Sequence, residues 1–599
     1  MPKASAPDKA PTEEQNSEAS KTSEARGEAE RALQGLGFVR SGIEWTGGLR
    51  IDQGTSVDVW VSLPERFPDV LPEIKVDRKA LPKRVAHVEK SGKICIAPSS
   101  GVLIDADRPA DLVVESLQLA EGVLKRGLSG ESDEDLQREF LAYWESTDQV
   151  TTYSLCRADG GFRELTVSRV TGGGFLKSGP LVLADKKGDV EHWAQNLGAK
   201  YILVGKAAFL PFQTSFDPPE FGVQTTVGEL RELFRKHVSS KDFGLFERWL
   251  ESTRFPTTVL LSLPEPSRDT GRVLVGIRIE KPAKDIEKEL LKGFRPGHVP
   301  ASRILGFVRN ASAARLDLTR LDRRYLGVRG GATHGLAEKR VVLVGAGAVG
   351  SEIAGMLGAA GVGELRIIDP DTLTQDNVHR HALGVRNLHS DKALALAARL
   401  RHRFPHLTFE GRKGRIEELL VKDPRFIRET ELIILAIADD TLERRLNRSL
   451  VGPPPRIHSW VEPLGVGGHA LATVTAGPGC FECLFQYDDR LGLVNKACFV
   501  APGQIIERSL AGCAGTFSPF SAFDAHRTAL ETAALAVAIL TGEQKENALV
   551  SWRGDRTEFE SAGYRLSERG SRIKHGGRDV LTGRTFSSQE CKVCGHRQP

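Results

Sequence analysis

The sequence predicts a multidomain α/β protein: an α+β unit toward the N-terminus, a central connecting α/β unit, and a C-terminal unit on a mainly parallel sheet. Three observations point there. At 599 residues the chain exceeds what one hydrophobic core holds. Residues 339–371, "KRVVLVGAGAVGSEIAGMLGAAGVGELRIIDPD", run from an apolar strand through a glycine-rich turn into a helix and a second strand. Strands and helices alternate from there onward, which implies βαβ units.

The first 24 residues are polar, lack an apolar signal core and are expected to be a disordered tail. Lys plus Arg number 82 against 78 Asp plus Glu, a net +4, so no nucleic-acid-binding signature is present. The longest apolar runs fall far short of the roughly 20 residues of a membrane helix. Eight cysteines in so long a chain, without a secretion signal, argue for a reducing cytoplasm and for metal or catalytic thiols rather than a disulfide framework.

Residues 25–148 read as one unit. "GEAERALQGLGF" is helical, "TSVDVWVSL" alternates between faces as a half-buried strand does, "LPEIKV" is a further strand, and "PADLVVESLQLAEGVLKRGL" is an amphipathic helix. A loop before that helix carries Cys95 in "GKIC". Residues 149–322 mix strand patterns with a helical "VGELRELFRKH" and hold no constellation of chemistry; Cys156 there is expected to be a buried small side chain.

Residues 323–599 form the third unit. Gly345, Gly347 and Gly350 fit G-x-G-x-x-G between a strand and a helix, where glycine lets backbone approach phosphate and the helix N-terminus meets negative charge. No lysine stands between Gly350 and Ser351, so this is not a Walker A loop. Asp369 ends the second strand and suits a ribose hydroxyl under either a dehydrogenase or an ATP reading. The residues just beyond it favour a triphosphate: "DPDTLTQDNVHRHALG…HSDK" puts Asp371, Asn377, Arg380 and Lys392 in one run, and cations stabilise charge on a leaving pyrophosphate. "LIILAIADDTLERRLN" is a buried-type strand ending in Asp439 and Asp440, at the edge where Mg²⁺ would find oxygen ligands.

"CFEC" at Cys480 and Cys483 and "CKVC" at Cys591 and Cys594 supply four thiolates, the set of a closed tetrahedral zinc site; two separate redox pairs are the alternative. Cys498 and Cys513 remain. Cys513 lies in a glycine-flanked loop before an apolar helix, a setting that lowers a thiol's pKa, and is preferred as nucleophile over Cys498.

On the glycine fingerprint, the Asp371–Lys392 run, "IADD" and the paired cysteines, residues 320–599 resemble the ubiquitin-activating superfamily. That group includes enzymes that adenylate sulfur carriers for cofactor synthesis. The resemblance implies a Rossmann-like adenylating domain with ATP as substrate. Asp371 would bind ribose, Asn377, Arg380 and Lys392 the phosphates, Asp439 Mg²⁺, and the four paired cysteines structural Zn²⁺. It also implies a thioester on Cys513 and a homodimer lending one arginine across, for which "LDRRYLGVRGG" offers Arg323, Arg324 and Arg329.

On "RFPDVLPEIKVD…HVEKSGKICIAP…RPADLVVESLQLAEGVL", residues 25–148 resemble the ubiquitin-conjugating fold, with Cys95 at the thiol position. The His-Pro-Asn expected just before that cysteine is missing. His87 in "AHVEKSGKIC" is a candidate base or donor, with a plain surface histidine as the alternative, and Asp105 and Asp107 could orient an amine.

The whole then resembles bacterial fusions of activating and conjugating domains found in anti-phage cyclic-oligonucleotide signalling. The expected partners are a ubiquitin-like protein or a cyclic-oligonucleotide synthase with an exposed C-terminus, and an amine-bearing target. A sulfur-carrier adenylyltransferase and a non-catalytic nucleotide-binding scaffold are the alternatives.

Overall fold

The computed structural model of the protein describes residues 13–595 apart from 53–54, 98–100, 221–224, 253–255, 266–270, 281–287, 290–291, 296–302, 304–305, 307–308, 310, 329–330, 332–334, 451, 453 and 510–515. The chain divides into two compact units. One comprises residues 1–151, 158–165 and 206–318, the other 152–157, 166–205 and 319–599. The stretch 149–322, expected as one connecting domain, is therefore shared out between them.

In the first unit, the helix Glu13–Gly35 precedes a four-stranded antiparallel meander: Val39–Ser41, Glu44–Arg50, Ser56–Ser62 and Glu73–Val76. The third strand alternates as its sequence demands, with Val57, Val59 and Val61 buried between Ser56, Asp58 and Trp60. The helix Pro109–Ser129 starts with proline, ends on left-handed Gly130, and buries Leu112, Val113, Leu117, Ala120 and Leu124. Those side chains meet Ile74, Val76 and fully buried Phe67 in one core.

A second core of this unit lies around the strand Thr257–Pro264. It pairs in parallel with Ala207–Pro211 and antiparallel with Arg272–Ile279. The helices Val227–His237 and Ser240–Ser252 bury Phe234, Phe246 and Trp249 against it, with Phe140 joining from the end of the N-terminal domain.

The second unit is built on an eight-stranded sheet. Five strands are parallel in the order Thr408–Lys413, Glu364–Asp369, Arg340–Val344, Leu432–Leu435 and Arg456–Val461. Three more, Gly467–Thr473, Ala548–Arg553 and Arg578–Thr582, extend it antiparallel. The expectation of a mainly parallel sheet holds for the half that carries the glycine motif. Val341–Val344 and Leu432–Leu435 are buried throughout, as strands covered on both faces must be.

The helix Ala348–Ala359 packs beside the helix Ala522–Thr541. Small residues at Ala525, Ala529, Ala533 and Ala536 on the latter allow close approach, and Ser521 with Asp524 forms a capping box at its start. The strand order reverses on either side of Arg340–Val344, so a crevice opens at its C-terminal end, where ligands bind in open α/β sheets.

The segment Thr152–Arg157 and the helix Lys187–Asn196 belong to this unit too. Asn196 Nδ2 donates to the Pro405 carbonyl at 3.0 Å, and His192 Nε2 lies 3.2 Å from that of Leu407. Cys156 is fully buried, as a small packed side chain would be. Among the described residues no helix is long and apolar enough to cross a membrane.

Candidate functional site

The glycine turn sits at the crevice. Gly345 has φ 94°, a left-handed conformation that strains any residue with a Cβ. Gly347 caps the helix Ala348–Ala359, and a Cβ there would enter open space, so the turn offers a bare surface for a ligand's close approach. Gly350 is buried in the first helical turn.

The peptide between the first two glycines is held from both sides. Ala346 N–H donates to Asp369 Oδ2 at 2.6 Å, and His381 Nε2 donates to the Ala346 carbonyl, also at 2.6 Å. Leu383 N–H donates to His381 Nδ1 at 3.0 Å, which fixes the neutral tautomer. Burial first of all lowers His381 from its ordinary 6.5 to about 4.

Asp369 is 5% exposed, and its other oxygen accepts the Asp371 N–H at 2.8 Å. Burial raises its carboxyl above the usual range, against the pull of both N–H groups and of Lys392. Asp369 thus braces the glycine turn. The carboxylate facing outward at that edge is Asp371, whose side chain is 64% exposed and accepts from Lys392 Nζ at 3.0 Å.

Asn377 and Arg380 lie on the 3-10 segment Gln375–Arg380. Asn377 Oδ1 accepts from Thr374 Oγ1 at 3.0 Å, and the Arg380 guanidinium lies 4.5 Å from the Phe520 ring centre. Three residues beyond the strand Leu432–Leu435, Ala438 has φ 56°, unusual for a residue with a side chain. Exposed Asp439 comes next, capping the helix Asp440–Ser449 by accepting the Leu442 N–H at 2.9 Å.

The turn before Asp439 is supported by buried Glu443, which accepts the N–H groups of Ile437 and Ala438 and lies 2.7 Å from His458 Nδ1. Burial drives Glu443 well up and His458 well down. Glycine turn, Asp371, Lys392, Arg380 and Asp439 therefore gather at one edge of the sheet. His381 and Glu443 were not foreseen: both lie inside the runs quoted above, but nothing local marks them, and only the folded chain places them behind the turns they hold.

The four paired cysteines meet as well. Their sulfurs all lie within 4.8 Å of one another, at 3.9 Å for Cys480–Cys483, 3.7 Å for Cys480–Cys591 and 3.3 Å for Cys483–Cys594. Tetrahedral zinc with Zn–S near 2.3 Å sets its sulfurs about 3.8 Å apart, so this donor set fits that ion. Asn447 Nδ2 donates to Cys480 Sγ at 3.5 Å. Glu482, inside the first hook, accepts from Arg444 at 2.7 Å and Arg448 at 2.6 Å. All three partners stand on the helix capped by Asp439.

Of the two thiols weighed as nucleophile, Cys513 lies outside the described residues. Burial, then Glu462 and Asp440, push the Cys498 thiol well up, the reverse of what a nucleophile needs. Among the candidate arginines, Arg323 donates to the Ala337 and His406 carbonyls, Arg324 is exposed, and Arg329 lies outside the described residues.

In the first unit, Cys95 is exposed, with its sulfur 3.6 Å from the Ala97 carbonyl oxygen. His87 does have partners: its ring faces Asp135 and Glu139, each at 3.4 Å. Asp105 and Asp107 sit in a local turn in which Asp107 N–H donates to Asp105 Oδ1 at 3.3 Å.

Residues 321–550 match the model of the ThiF family, and residues 40–152 match that of Prokaryotic E2 family B. An ATP-dependent ubiquitin transferase-like protein Cap2 of Pseudomonas aeruginosa (strain BWHPSA011 / Pa011) is 26% identical over 457 residues, 74% of this chain and 77% of that protein. A protein of the same description from Escherichia coli (strain TW11681) is 26% identical over 244 residues, 37% of this chain and 39% of its own length. The sulfur carrier protein ThiS adenylyltransferase of Bacillus subtilis (strain 168) is 31% identical over 241 residues, 38% of this chain and 62% of that one.

Proposed function

We propose, from a chain that joins a ThiF-type adenylation domain to a prokaryotic E2-type domain, an enzyme that activates a protein's C-terminal carboxylate with ATP and conjugates it to an amine. Its support is the coexistence of two sites on one polypeptide. One is a braced glycine turn, with the Asp371–Lys392 pair following the strand that ends in the bracing Asp369. The other is an exposed thiol in a conjugating-type domain.

The substrate carboxylate attacks the α-phosphate of ATP and pyrophosphate leaves, giving an acyl-adenylate. Arg380 and Lys392 offset the charge of the leaving group, Asn377 orients the phosphates, and Asp371 holds the ribose. Asp439 would hold Mg²⁺, which supplies further charge neutralisation when bound. Cys513 displaces AMP, Cys95 takes the acyl group from Cys513, and an amine on the target receives it. The high position of Cys498 favours Cys513 for the first thioester. Cys480, Cys483, Cys591 and Cys594 would hold structural zinc. The activated protein is a ubiquitin-like modifier or a cyclic-oligonucleotide synthase in antiviral defence, and the adenylation domains work as a homodimer.

The test is ATP–pyrophosphate exchange by the full chain with candidate C-terminal tails, with non-reducing gels for thiol-labile adducts. Exchange is expected with the cognate tail; Cys513→Ala should lose every adduct, and Cys95→Ala should lose the adduct on Cys95 while keeping the one on Cys513. Absence of both exchange and adducts with that tail would end the proposal. The identity with a ThiS adenylyltransferase favours a second reading, activation of a sulfur carrier, under which Cys95→Ala leaves product formation unchanged.

A further inference from the structure

The surroundings of Cys95 hold more chemistry than the thiol. Cys95 N–H donates to the His87 carbonyl at 2.7 Å and Glu89 N–H to that of Lys93 at 2.9 Å, so residues 87–95 form a hairpin with His87 opposite the cysteine. His87 N–H in turn donates to the Tyr143 hydroxyl at 2.6 Å.

The His87 ring lies between two carboxylates. Nε2 is 3.4 Å from Asp135 Oδ2 and Nδ1 is 3.4 Å from Glu139 Oε2. The ring is thereby held in place between the two side chains, with a carboxylate oxygen beside each nitrogen.

Glu139 is placed differently. It stands at the joint between the helices Asp133–Arg138 and Phe140–Tyr143. Its Oε2 is fixed by His87 and by the Tyr143 hydroxyl at 3.3 Å, yet its side chain stays 44% exposed. Its charge reaches the thiol. Burial first, then Glu139 and Glu89, hold Cys95 above its ordinary range, with Lys93 opposing.

We propose that Glu139 is the carboxylate that receives the acceptor amine at Cys95, with His87 and Tyr143 as positioning residues. This rests on the conjugation reading above. The amine arrives as an ammonium ion. Glu139 takes one proton from it and passes that proton to water. The freed nitrogen lone pair attacks the thioester carbonyl carbon, and the C–N bond forms as the C–S bond breaks. Sulfur leaves with the bonding pair and takes the second proton from nitrogen, restoring the Cys95 thiol.

Chemical loading of Cys95 separates this step from adenylation. The full chain is acylated by thiol exchange with an acetylglycyl thioester of mercaptoethanesulfonate, and loss of the acyl group is followed by mass on the Cys95 peptide. Nα-acetyl-lysine, an ammonium ion with pKa about 10.4, and hydroxylamine, uncharged near neutral pH, serve as acceptors. Glu139→Gln keeps an acceptor for Tyr143 and removes the charge. It is expected to lower the ratio of lysine to hydroxylamine discharge at least about tenfold. Glu139→Asp should recover part of that ratio. An unchanged ratio in Glu139→Gln, or equal loss in both variants, overturns the role of Glu139. A wild-type thioester that hydroxylamine discharges but lysine does not overturns the conjugation reading as well.

Discussion

At Gly347 one methyl group separates binding from folding. A Cβ there meets no protein atom within 4 Å, so Gly347→Ala should leave the melting temperature almost unchanged while crowding the phosphates. ATP affinity is expected to fall about tenfold or more, read by calorimetry. Gly345→Ala is the contrast: at φ 94° the added Cβ strains the backbone, at a cost of about 1–2 kcal/mol, and the melting temperature should drop. His381 gives a pH signature. Its folded value of about 4 lies below the ordinary 6.5, so its contribution to stability is complete above 6.5 and is lost as pH falls toward 4. The loss amounts to up to about 3 kcal/mol. In thermal melts between pH 7 and 4.5, His381→Gln should therefore lose less stability on acidification than wild type. The glycines were legible because strand, turn and helix surround them in the sequence itself. Which acids turn inward was not: Asp369 and Asp371 are two residues apart in the same run, and only the fold buries one and leaves the other open.

The two cysteine hooks were legible as a pair because each needs only local geometry. Their tie to the crevice was not, since it runs through Glu482, Arg444, Arg448 and Asn447, ordinary surface residue types in sequence. Those bonds join the hooks to the helix whose cap is Asp439. Removal of metal by a chelator should lower the melting temperature and also weaken ATP binding severalfold, though no hook cysteine belongs to the glycine turn. Glu482→Gln, which leaves all four thiols in place, should reproduce the loss of affinity with a smaller loss of stability. The helix Lys187–Asn196 shows the converse limit. Read along the chain it belonged to a connecting domain; its buried Asn196 and its His192 instead bind backbone of the second unit at Pro405 and Leu407. No local pattern encodes so distant a pairing.

Over the whole molecule, the conjugating-type and adenylating stretches were readable in order because each carries its own motif; residues 149–322 carry none, and their division between two units was not readable. Under the proposed reading, both thiols stand on one polypeptide, and handover between them is expected to be independent of encounter, with effective concentrations reaching about millimolar. Conjugation per wild-type molecule should therefore stay constant on dilution. A mixture of Cys95→Ala and Cys513→Ala chains should slow as it is diluted, followed by the rate of conjugate formation. A wild-type rate that falls in step with the mixture would assign the handover to neighbouring copies.

The Ala346 peptide, clasped by Asp369 on one side and His381 on the other, is set before any ligand arrives. Nucleotide capture should then require little reorganisation of the loop. Amide exchange at Gly345 and Ala346, whose N–H groups are bonded to the Ile368 carbonyl and to Asp369, is expected to be slow already in the free enzyme and to change little on saturation, because a preformed receptor has little disorder left to surrender.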